Sequence, residues 1–72
     1  MNELNSPLTP EEQIFREIKS GLALKGLTLA GIANTLGVGR SWVWQVAKGM
    51  ADNQKVRQAI AEALGSDPWA KN

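Results

Sequence analysis

The 72-residue sequence predicts an all-α bundle of four to five short helices, and three observations carry that expectation. Apolar residues recur at three- and four-residue spacing in successive stretches, the period of a helix that buries one face. No stretch alternates apolar and polar residues with period two, so no strand is expected. Each stretch begins near a capping residue and ends on a glycine, at Gly26, Gly37, Gly49 or Gly65.

The first helix opens at Thr9-Pro10-Glu11-Glu12. Thr9 can accept from free amides, Pro10 suits the first turn, and Glu12 completes a capping box. Ile14, Ile18 and Leu22, with Phe15 beside them, form its apolar stripe, which Gly21 weakens locally. Thr28 caps a second helix, in which Leu29, Ile32, Ala33 and Leu36 share a side. Gly39 or Arg40 opens a third, where Val43, Val46, Ala47 and Met50 are expected to point the same way. Asp52 or Asn53 caps a fourth, lined by Val56, Ala59, Ile60, Ala63 and Leu64. Ser66-Asp67-Pro68-Trp69 has the makings of one more helical turn, with Trp69 anchoring the tail. Three segments result: a flexible tail over 1–9, a domain over 10–65, and a short tail over 66–72.

A chain this short builds only a modest core. It has neither cysteine nor histidine, which removes disulfides, thiolate chemistry, the usual zinc sets and the commonest general base. The carboxylates sit at helix starts or lack companions at a telling spacing, and Gly37-Val38-Gly39 lacks the lysine of a phosphate loop. No enzyme, metal, cofactor or small-molecule substrate is therefore expected. Nothing reaches the length of a membrane span or has the pattern of a signal peptide, so a cytoplasmic location is expected.

Net charge is only +1, but its distribution is uneven. From Gly37 to Ile60 the charged residues are Arg40, Lys48, Lys55 and Arg57 against Asp52 alone. A basic segment beside a near-neutral remainder suits a phosphate backbone. Lys55 and Arg57 are expected to be solvated charges.

The run Leu29 to Lys48 meets each steric demand of two helices crossing at a tight turn. Ala33 is small where the second helix crosses, Gly37 supplies positive φ, and Val38 is expected to bury into the elbow. Val43 and Val46 lock the second helix inward, which leaves Ser41, Trp44, Gln45 and Lys48 outward, with Gly39 and Arg40 at the start. Arg40 can pair with guanine, Gln45 with adenine, and Ser41 with several bases, while Trp44 can meet sugars or a thymine methyl. Lys48 and the amides near Asn53 and Gln54 suit phosphate.

Gly37 to Gly49 (GVGRSWVWQVAKG) resembles the helix-turn-helix of phage lambda repressor and Cro-type regulators, and Ile14 to Trp69 resembles the small phage Ner-like repressors. The resemblance implies a compact lambda-repressor-like bundle of about five helices, with the third as recognition helix. It implies a sequence-specific transcriptional regulator of double-stranded DNA, a phage or prophage-type repressor. Base contacts then fall on Arg40, Ser41 and Gln45, joined by Trp44. Backbone contacts fall on Thr28, Gly39, Lys48, Asn53 and Gln54. The departures are Trp42 and Trp44, where the family usually carries smaller residues. Trp42 lies on the opposite flank, towards helix four or a partner subunit. A homodimer, at least on DNA, is expected from how such motifs gain affinity rather than from any residue pattern. The alternative is a small protein-interaction module using the Trp42/Trp44 face together with Met50.

Overall fold

A computed structural model describes residues 9–70; the tail expected over 1–9 lies outside them apart from Thr9, as do residues 71 and 72. Helix α1 spans Pro10–Leu24, α2 Leu29–Leu36, α3 Arg40–Ala47 and α4 Gln54–Leu64. The described residues contain these four helices and no strand. None of the helices is long and apolar enough to cross a membrane.

The helix starts follow from local chemistry. Thr9 and Glu12 form the expected reciprocal box, Glu12 N–H donating to Thr9 Oγ1 at 3.1 Å and Thr9 N–H to Glu12 Oε1 at 2.9 Å. Thr28 Oγ1 accepts from Gly31 N–H at 3.0 Å, and Asn53, rather than Asp52, caps α4 by accepting from Val56 N–H at 3.0 Å. Each side-chain oxygen satisfies a first-turn amide that has no partner inside the helix.

The core is a single apolar cluster drawn from all four helices: Ile18 and Leu22, Leu29, Ile32 and Ala33, Val43, Val46 and Ala47, Val56 and Ile60. No polar residue is buried among those described. Helix α4 packs against each of the other three, so Ile60 at its centre ties the bundle together. Gly21 is no mere weakness in α1. A Cβ there would lie 2.6 Å from Leu64 Cδ2, so the glycine leaves room for the tip of that side chain at the end of α4.

Two apolar expectations fail. Val38 is exposed rather than buried in the elbow, because the backbone itself closes the turn. Both Gly37 N–H and Val38 N–H donate to the Ala33 carbonyl, at 2.9 and 3.0 Å. Met50 is 71% exposed, because α3 ends at Ala47 and Gly49, at φ +83°, turns the chain away from the helical period. The tail forms a turn rather than a fifth helix, with Ala70 N–H donating to the Asp67 carbonyl at 3.2 Å. Pro68 is buried and Trp69 packs on the core. Arg57 is not simply solvated. Its guanidinium lies 5.0 Å from the centre of Trp69, and its Nε lies 3.4 Å from Asp52 Oδ1.

Gly37 and Gly49 both adopt left-handed backbone, at φ +75° and +83°, but their surroundings differ. Around Gly37 a Cβ would meet nothing, whereas at Gly49 it would lie 2.8 Å from Glu11 Cγ and 3.3 Å from Glu11 Cβ. Gly37→Ala should cost about 1–2 kcal/mol of backbone strain. Gly49→Ala should cost more, since the start of α1 must also shift. Urea unfolding of the two variants checks the order; equal losses would mean that Glu11 moves aside freely.

Candidate nucleic-acid interface

Helix α3 has two faces of opposite character. Val43, Val46 and Ala47 are fully or almost fully buried. Arg40, Ser41, Trp44, Gln45 and Lys48 are all exposed, and their spacing sets them on one side at about 100° per residue. Together with Ala30 and Met50 they line an open groove of about 450 Å³. No carboxylate lines it. Arg40 at one end of the helix and Lys48 at its C-cap bring positive charge to a surface that also carries hydroxyl and carboxamide groups.

The start of α3 is open as well. Gly39 is the N-cap and contributes no side-chain cap, and nothing lies within 4 Å of where its Cβ would be. The first-turn amides are therefore available to an outside acceptor.

The structure thus gathers Arg40, Ser41, Trp44, Gln45 and Lys48 into one groove, with Gly39 adjoining it. It does not gather the other three candidates there. Thr28 lines a separate groove with Ala59, Glu62 and Ala63 of α4, and its hydroxyl oxygen already serves as a cap. Asn53 is half-buried with its Oδ1 occupied at the α4 cap, and Gln54 is exposed at that helix's first position.

Trp44 has a closer neighbour than its place on the helix suggests. Its ring meets Phe15 of α1 edge to face, with centroids 5.0 Å apart and planes at 69°. Lys19 and Lys48 flank this pair. Lys48 Nζ lies 5.0 Å from the Trp44 ring centre and 5.6 Å from that of Phe15. Lys19 Nζ lies 5.8 and 5.4 Å from the same two centres. All four separations fall within cation–π range. Ala30, Phe15 and Lys19 are thus additions that motif spacing did not supply. The four-residue interval between Phe15 and Lys19 was the one available signal, since it puts both on one side of α1. Trp42 is 37% exposed and belongs neither to the core nor to the partly buried residues packed against it.

Among the described residues no group of three His, Cys, Asp or Glu side chains is placed to hold a metal ion. No family model, curated protein or solved structure matches the chain.

Proposed function

We propose that this chain is a sequence-specific, double-stranded DNA-binding transcriptional regulator of the lambda repressor and Cro-like helix-turn-helix type, acting in the cytoplasm as a phage or prophage-type repressor. The carrying observation is the division of α3 into a buried Val43/Val46/Ala47 side and an exposed side bearing Arg40, Ser41, Gln45 and Lys48. An α-helix is about 10–12 Å across and the major groove about 12 Å wide, so α3 can enter as a unit. Arg40 and Gln45 then supply bidentate partners for guanine and adenine, Ser41 an adaptable hydroxyl, and Lys48 a phosphate contact. Repression needs only occupancy, and two copies on half-sites about 34–36 Å apart would add the affinity that one small module lacks.

Selection from a random duplex library at low and near-physiological salt tests the proposal. An enriched two-fold symmetric site is the expected result; a flat distribution would remove the regulator assignment. Lys48→Ala should weaken every duplex alike and lower the slope of log affinity against log salt by about 0.9. Salt-independent binding to a protein, retained by Arg40→Ala and Lys48→Ala, would favour the other reading. The exposed Trp42, Trp44 and Met50 would then be a partner surface.

A further inference from the structure

The Phe15–Trp44 pair carries an arrangement that base reading does not require. Two ammonium groups from different helices, Lys19 of α1 and Lys48 at the end of α3, lie within 6 Å of the same two ring centres. Lysine side chains on an open surface ordinarily keep their rotamer freedom and their hydration. These two are drawn onto one aromatic platform, where their charges repel each other. Among the described residues neither has a carboxylate within ion-pair distance. Anionic groups set against them would offset that repulsion and use the ordering already in place.

The position of the platform selects the anion. Trp44 and Lys48 line the α3 groove, while Phe15 and Lys19 belong to α1, so the platform marks the flank of the exposed face. A helix that fills the major groove presents its flank to the sugar–phosphate wall rather than to base edges. Glu11 and Glu12 share a concavity with Phe15, Arg16 and Lys48, where two carboxylates balance two cations. Lys19, one turn further along α1, tips the local balance to positive.

We propose that Lys19 and Lys48, held on the Phe15–Trp44 rings, form a two-lysine grip on the DNA phosphate backbone, with Trp44 a positioning residue for that grip rather than a base reader. The proposal rests on the DNA-binding assignment and deepens it, since it brings α1 into the interface and gives Trp44 a different part. Phosphate contacts carry no sequence information, so the grip adds affinity and register equally on all sites.

The test is a salt titration of binding to a mixed-sequence DNA duplex between about 50 and 200 mM salt, paired with library selection to read sequence preference, for the wild type and four variants. Lys19→Ala should lower the log–log slope by about 0.9 and leave preference among sequences unchanged. Lys25→Ala, also on the α1 side but not on the rings, should leave the slope at its wild-type value. Trp44→Leu should lower the slope with both lysines still present, and Trp44→Phe should restore it, a pattern that loss of packing alone would not give. A Lys19→Ala slope equal to that of Lys25→Ala would overturn the grip while leaving DNA binding intact. A change of sequence preference in Trp44→Phe would return that residue to the base-reading face and overturn its positioning role. Absence of any duplex binding by the wild type, even at the lowest salt, would overturn the DNA assignment and the grip with it.

Discussion

In a library selection, Arg40→Ala and Gln45→Ala should each lose preference at their own base position while still binding duplex DNA. Under the proposed function each bidentate pair would account for about 1–3 kcal/mol of discrimination, or roughly fivefold to 150-fold at one base pair. Both side chains are exposed and lie on the same groove, and neither belongs to the core. Their removal should therefore change recognition with almost no change in folding, within about 0.5 kcal/mol. If the two variants select the wild-type site with undiminished preference, the recognition surface lies elsewhere on the molecule. Ser41→Ala should fall between these and a silent change, because a hydroxyl can bond several bases.

Ile60→Ala should have the opposite profile, a large loss of stability with no altered preference in the molecules that remain folded. Ile60 is fully buried on α4, the helix that packs against all three others. Truncating a buried isoleucine to alanine costs about 2–5 kcal/mol, from lost transfer energy and from the cavity left behind. Domains have roughly 0.05–0.15 kcal/mol of stability per residue, which for 72 residues makes the loss a large share of the total. The thermal midpoint should fall by on the order of 10–30 °C, measured by circular dichroism. A fall of only a few degrees would mean that α4 repacks easily and that the helices are less interdependent than their contacts indicate.

Much of this architecture was legible because its determinants are local. The cap at Thr9 needs only Glu12, three residues on, and the caps at Thr28 and Asn53 likewise act within one turn. The two sides of α3 were legible for a similar reason, since Val43 and Val46 fix the phase of eight residues. Periodicity failed once the helix stopped. Met50 was assigned a direction from a repeat that Gly49 had already broken. Val38 was given a side-chain role in a turn that three backbone hydrogen bonds complete.

What could not be read were pairings between distant segments. Phe15 lies 29 positions before Trp44, and nothing in either stretch requires the other. The approach of Leu64 to Gly21, of Glu11 to Gly49, and of Arg57 to Trp69 likewise exists only after the helices have packed. Thr28 and Asn53 show how one residue type can suit two tasks. Both side-chain oxygens accept from helix amides in the folded chain, which leaves the Thr28 hydroxyl hydrogen and the Asn53 NH2 group as the donors that a phosphate could use.

The turn between α2 and α3 is closed by main-chain groups, and α3 is seated by Val43, Val46 and Ala47, with Trp44 resting on Phe15. The outward residues Arg40, Ser41 and Gln45 thus take no part in holding the molecule together. Under the proposed function they behave as an exchangeable cassette. A relative could acquire a new target by rewriting these three letters, with no compensating change anywhere in the scaffold. Trp44 is the exception on that face: tied to Phe15 across the helix boundary, it can drift only if α1 drifts with it.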